Sequence, residues 1–174
     1  MAFNWKKNIR EQSANTIMLL DELHLHYLSQ EEPREDIAFI FKAYPHIAWY
    51  ICNKMPELAA WVNMLTQMVA NEPLPSNMDS LIGDVMESIE DWIIYVTTPD
   101  DYHRQSFNEW DENELTSLTD YSGKTVVDIG SGTGKQAFAV APFVKSVYCV
   151  APVWNLRRFL KHRAEKEGIN NIYI

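Results

Sequence analysis

The sequence predicts an α/β chain in two parts, an N-terminal all-helical unit followed by a partial parallel sheet with element order β-α-β-α-β. Three observations lead there. Up to residue 98 apolar residues recur at spacings of three and four, punctuated by proline at 33, 45, 56, 73, 75 and 99. After Gly123 short β-branched runs alternate with helical ones. The charge balance changes sign nearby: residues 1–120 hold 7 Lys and Arg against 21 Asp and Glu, and residues 121–174 hold 8 against 3. The division expected is a helical cap or substrate-recognition domain over 1–98, a connector over 99–120 and a sheet domain over 121–174.

In chain order, an opening helix is predicted over 4–30, with shorter pieces over 37–44 and 47–55. Leu58, Trp61, Val62, Leu65, Met68 and Val69 mark a helix over 56–71 with one apolar face. Leu81, Ile82, Val85, Ile89, Trp92, Ile93 and Val96 extend the same pattern over 79–97, with Asp84, Glu87, Glu90 and Asp91 largely on the other faces. The polar stretch that follows keeps Tyr102, Phe107 and Trp110 and has room for a short helix over 112–118. Strands are then expected at 125–129, 146–150 and 171–174, and helices at 136–143 and 155–167, the last closed by Gly168.

Composition narrows the function classes. With 47% hydrophobic residues and 12% aromatic the chain is a packed globular protein. No run approaches the roughly 20 apolar residues of a membrane helix, and the start lacks the apolar stretch of a secretory signal, so no membrane association and a cytoplasmic location are expected. An acidic front unit is a poor match for a phosphate backbone, which disfavours nucleic acid as a partner. Cys52 and Cys149 lack metal-ligand spacing and read as reduced core thiols. His24 and His26, two apart, point to different faces of a helix, and no metal site is expected.

The chemistry lies in Val126-Val-Asp-Ile-Gly-Ser-Gly-Thr-Gly134. A strand that runs through such a loop into a helix places backbone N–H groups at a positively polarised helix start, with no side chains at three positions to hold a ligand away. That is a nucleoside-cofactor site. A dinucleotide loop has glycines at the first, third and sixth positions. Here they stand at Gly130, Gly132 and Gly134, and the sixth position is Lys135.

The pattern acid-x-Gly-x-Gly-x-Gly, within VVDIGSGTGKQAFAVAPF, resembles the first motif of class I S-adenosylmethionine-dependent methyltransferases. The resemblance covers residues 121–174 and implies a Rossmann-like core with S-adenosylmethionine as cofactor and a small molecule as methyl acceptor. It implies that Gly130, Gly132 and Gly134 pass under the amino acid part of the cofactor. Asp128 would fix the loop and help receive the ammonium group, with Ser131, Thr133 and Gln136 as further polar contacts. No catalytic residue is implied, because the family's acceptor-contacting positions follow its fourth strand.

Two departures qualify the resemblance. In the family the second strand ends in an acid that accepts hydrogen bonds from both ribose hydroxyls, whereas Ala151 stands here and Asn155 is the nearest polar substitute. The family also carries about seven strands, so a sequence ending at Ile174 is expected to be the front of a truncated or longer methyltransferase, or a chain completed by association. The alternative is a non-catalytic binding or assembly protein whose degenerate half-domain forms a homodimer through an exposed sheet edge or the helical unit. A dinucleotide oxidoreductase is disfavoured by Lys135 and Ala151.

Other features carry weaker expectations. Placement before the loop makes Tyr102, His103, Arg104 and Trp110 candidates to cover a cofactor. Trp49, Tyr50, Trp61, Trp92 and Tyr95 suit either a cage for a cationic acceptor or ordinary core, and helical spacing favours core. Arg157, Arg158, Lys161, His162, Arg163 and Lys166 form a basic run that suits a solvated helix face or a dock for the acidic front unit.

Overall fold

The structure is a computed structural model and describes residues 5–32 and 34–174. These divide into two compact units, Met1–Thr97 and Thr98–Ile174. Residue 4, where the opening helix is predicted to begin, and Pro33 lie outside the described residues.

The first unit is helical. Its α-helices are α1 (Trp5–Arg10), α2 (Glu22–Gln30), α3 (Glu35–Ala43), α4 (Pro45–Lys54), α5 (Ala59–Met68), α6 (Met78–Ser88) and α7 (Glu90–Thr97), with 3-10 turns at Ala14–Leu19 and Pro56–Leu58. Pro45 and Pro56 each stand in the first turn of their segment, where the missing N–H costs no helical hydrogen bond. The predicted opening helix is broken, because the backbone is extended at Ser13, Leu20 and Asp21. No glycine or proline marks this break; tertiary packing does, burying Ile17 and Leu20 completely and letting Lys54 Nζ donate to the Leu20 carbonyl at 2.7 Å. The predicted 79–97 helix likewise divides at Ile89, whose side chain is buried.

Long-range contacts tie these helices together. Where α3 packs on α5, Lys42 Nζ donates to the carbonyls of Val69 and Ala70 at 2.8 and 2.9 Å, a cation at the negatively polarised end of α5. Where α1 meets α6, a Cβ on Gly83 would lie 3.2 Å from the Arg10 carbonyl oxygen, which accounts for the one glycine of this acidic unit. Trp61 sits edge-on to Phe41, Trp92 and Tyr95 both lie against the His24 ring, and Tyr50 lies under Lys54 Nζ, whereas Trp49 is 68% exposed and departs from the core placement its helical spacing predicts.

The second unit comprises α8 (Pro99–His103), a 3-10 turn at Ser106–Asn108, α9 (Glu112–Thr116), β1 (Thr125–Ile129), α10 (Lys135–Val140), a 3-10 turn at Ala141–Phe143, β2 (Ser146–Val150), α11 (Trp154–Glu167) and β3 (Ile172–Tyr173). The stretch 99–120, predicted as a connector, belongs to this compact unit. The class is α/β, with a three-stranded parallel sheet in the order β1-β2-β3. Val126 and Asp128 pair with Val147 and Cys149 on the covered face, against which α10 packs. Val127, Ile129, Tyr148, Val150 and Tyr173 line the opposite face and are exposed, Ile129 by 82%. No helix among the described residues is long and apolar enough to cross a membrane.

Buried His24 generates a test of the helical unit. Its Nδ1 has no hydrogen-bond partner, and burial lowers its pKa below the ordinary 6.5. The unfolded chain therefore binds the proton first as pH falls, so this contribution to stability is full above pH 6.5 and is lost as pH drops through the folded value. Urea denaturation followed by tryptophan fluorescence should show the first unit weaker at pH 5.5 than at 7.5. His24→Phe, which keeps a ring against Trp92, should flatten that difference.

Candidate functional site

The glycine loop is pinned to the sheet at its start. Gly130 N–H donates to the Val150 carbonyl at 2.8 Å and Ser131 N–H to the same oxygen at 3.2 Å, so the loop opens beside the C-terminal end of β2. In open α/β sheets ligands bind outside that end of the strands. Gly130, Gly132 and Gly134 have φ of +79°, +53° and +82°, a region where side-chain-bearing residues are strained.

The three glycines differ in what surrounds them. A Cβ at Gly130 would meet nothing within 4 Å, so the backbone there is open to a ligand. One at Gly132 would touch the Tyr102 ring at 3.8 Å. One at Gly134 would fall 2.5 Å from Leu160 Cδ2 and 2.8 Å from Phe138 Cδ2. Gly130 thus gives access, whereas Gly134 lets α10 and α11 close beneath the loop.

The loop's polar side chains face inward. Ser131 and Thr133 are buried; the Ser131 hydroxyl donates to the Asp128 carbonyl at 2.7 Å, and Thr133 Oγ1 lies 3.0 Å from His103 Nδ1. Their side chains are thus engaged within the protein. Gln136 is exposed and borders a shallow groove of about 500 Å³ with Trp110, Glu114, Leu115 and Leu118.

Asp128 sits behind the loop. Its Oδ2 is buried without a hydrogen-bond partner, and burial pushes its carboxyl up, opposed by the nearby Ser131 side chain and Ala137 N–H. A buried, unpartnered carboxylate oxygen beside an open loop backbone fits a cationic ligand group at the loop, which would favour the charged form. A small cavity of about 180 Å³ on the outer side of β1 is lined by Asp128, Gln136, Leu115 and Tyr121 and is too small for a nucleoside cofactor.

At the end of β2 the charge is the reverse of what the resemblance implies. Ala151 is buried, and Arg157 Nη1 donates to the Ala151 carbonyl at 2.7 Å and to that of Pro152. Arg158 lies 4.7 Å over the half-exposed Trp154 ring. Position 151 thus offers no carboxylate, and its backbone carbonyl is held by a guanidinium.

The covering candidates separate. Tyr102 and His103 reach the loop. Trp110 lies under Lys135 Nζ, which also pairs with Glu112 at 3.1 Å. Arg104 is exposed and pairs with Asp101. Burial lowers the His103 pKa, with Arg163 and Lys135 adding to the shift and Glu167 and Asp100 opposing it. Among the described residues no group of three or more His, Cys, Asp or Glu side chains is placed to hold a metal ion.

Arg163, expected only as one member of the basic run, reaches the loop. Its Nη1 donates to the Thr133 carbonyl at 3.1 Å, its Nε to Glu167 Oε1 at 2.7 Å, and its guanidinium lies 3.8 Å over the Phe138 ring. Within a run of basic residues nothing singles it out by type. Its spacing does, because it continues the stripe of buried Leu156 and Leu160.

No family model, curated protein or solved structure matches this chain.

The seat of Gly134 gives a direct test. Gly134→Ala forces a Cβ into Leu160 and Phe138 at a positive φ, a backbone cost of about 1–3 kcal/mol before the clash. The urea transition of the second unit should move to lower denaturant with that of the first unit in place.

Proposed function

We propose that the second unit binds S-adenosylmethionine at the 128–134 loop and is part of a Rossmann-like methyltransferase acting on a small molecule. The carrying observation is a glycine loop with an open backbone at Gly130, pinned to the C-terminal end of β2, with the unpartnered Asp128 Oδ2 behind it. When bound, this cofactor supplies an electrophilic methyl group transferred by in-line displacement, which depends on orientation.

The chain's own residues bind and orient. Backbone groups of Gly130 and Gly132 would lie under the amino acid part of the cofactor, and Asp128 would favour its ammonium through the loop. Ser131 and Thr133 keep the loop in shape from within. The apolar groove of Trp110, Leu115 and Leu118 beside Gln136 suits a small apolar acceptor. With Ala151 and Arg157 at the ribose end, binding lacks the bidentate acidic acceptor, a loss of roughly 1.5–3 kcal/mol.

A second reading, a binding or assembly protein, is favoured by one observation. Parallel sheets are as a rule covered on both faces, yet Val127, Ile129, Tyr148, Val150 and Tyr173 present a bare apolar face with no ionisable side chain except the two phenols. A second copy of this chain would cover it without burying a charge.

Each reading has its measurement. Calorimetry with S-adenosylmethionine and its demethylated product should give micromolar to sub-millimolar binding, about tenfold tighter in Ala151→Asp; absence of heat at millimolar ligand in both proteins overturns the cofactor reading. Light scattering across a concentration series should show self-association that Ile129→Glu abolishes, and a monomer at all concentrations removes the assembly reading.

A further inference from the structure

We infer that His103 and Arg163 are positioning residues that set the 132–134 turn by gripping Thr133 from two sides, and that this grip governs how well the loop is formed for a ligand. The link to ligand affinity rests on the cofactor reading above; the grip itself does not.

The need for such a grip follows from the sequence of the turn. Gly132 and Gly134 both take positive φ, which glycine allows at little steric cost but also leaves free to leave. Between these two swivels Thr133 is the one residue with a side chain to hold. It is 2% exposed, so neither its hydroxyl nor its carbonyl can fall back on solvent if its partner is lost.

Both partners come from outside the loop and are themselves held. His103 meets the Thr133 hydroxyl at 3.0 Å and packs its ring 5.6 Å from that of Phe159 on α11. The turn after α8 is braced by the Asn108 amide on the Tyr102 carbonyl and the Gln105 amide on the Asp101 carbonyl, both at 2.9 Å. Arg163 takes the Thr133 carbonyl at 3.1 Å while Glu167 and the Phe138 ring fix its guanidinium. Two elements distant in sequence, α8 and α11, therefore converge on one residue of the loop.

The grip is sensitive to protons. Neutral His103 can accept from the Thr133 hydroxyl through Nδ1, whereas a protonated ring only donates and forces the hydroxyl to turn. Arg163 and Lys135 face it as cations, Glu167 and Asp100 as anions, and burial and the two cations together disfavour the charged ring. Acidification below the ordinary value of 6.5 should loosen the turn.

Hydrogen exchange on the full chain reads the turn through the Gly134 amide, bonded to the Ser131 carbonyl, and the Phe138 amide, bonded to the Gly134 carbonyl. After correction for intrinsic rates, His103→Ala and Arg163→Met should each speed exchange of the peptide spanning 130–138 about tenfold, with the sheet peptides unchanged. His103→Asn, whose amide accepts from the hydroxyl without titrating, should keep wild-type protection and lose its fall between pH 7.5 and 5.5. Unchanged protection in both His103→Ala and Arg163→Met overturns the inference, as do identical pH profiles for wild type and His103→Asn should His103→Ala fail to fold. Loss of protection in the variants, together with no heat from wild type and Ala151→Asp at millimolar S-adenosylmethionine, supports the grip and removes the cofactor reading.

Discussion

The second unit depends on the seat of its glycine loop. Gly134 has no room for a Cβ between Leu160 and Phe138, so α10 and α11 meet directly beneath the loop. That closeness fixes where α10 starts and brings Arg163 within reach of the Thr133 carbonyl. The loop's other end is tied to Val150, so both ends are set by the strand and helices around it rather than by the loop's own side chains. Steric exclusion at Gly134 and the two backbone hydrogen bonds from Gly130 and Ser131 to Val150 define the geometry a ligand would meet.

Placed there, the polar residues of the motif divide by role. Ser131 and Thr133 turn inward and stabilise the loop, leaving the backbone near Gly130 as the accessible surface. Asp128 holds a buried, unpartnered oxygen, a cost that a native fold ordinarily offsets with a hydrogen bond, an ion or a ligand. Under the proposed reading this combination would suit a cationic group reached through the loop. At the end of β2 the backbone carbonyls of Ala151 and Pro152 are taken up by Arg157, and no carboxylate stands at position 151. Under the proposed cofactor reading the loop would hold the amino acid part while the end of β2 supplies no acidic acceptor, which makes the effect of an acid at position 151 informative.

The sheet has an equally uneven surface. One face buries Val147, Cys149 and Ile172, and the other exposes five apolar or aromatic side chains, Tyr148 and Tyr173 stacked at 5.0 Å. Strand alternation makes this division unavoidable: with a period of two, every residue that is not on the covered face is on the bare one. Hydrophobic runs in β1 and β2 suit burial on both sides.

Sequence alone determined the alternation of strands and helices after Gly123, the helical character before residue 98 and the place of the glycine loop, because each is written in local periodicity and in glycine spacing. It also marked Asp128 and the absence of an acid at 151. Tertiary structure decided the rest: the breaks at Ser13, Leu20 and Ile89, where helical patterning continued but packing did not; the inward turn of Ser131 and Thr133; the guanidinium at the end of β2; and the convergence of His103 and Arg163 on Thr133. These are contacts between residues 30 or more positions apart in the loop's case, and side-chain direction in the others. Neither leaves a local signature, because both are set by which surfaces meet when strands and helices close around one glycine.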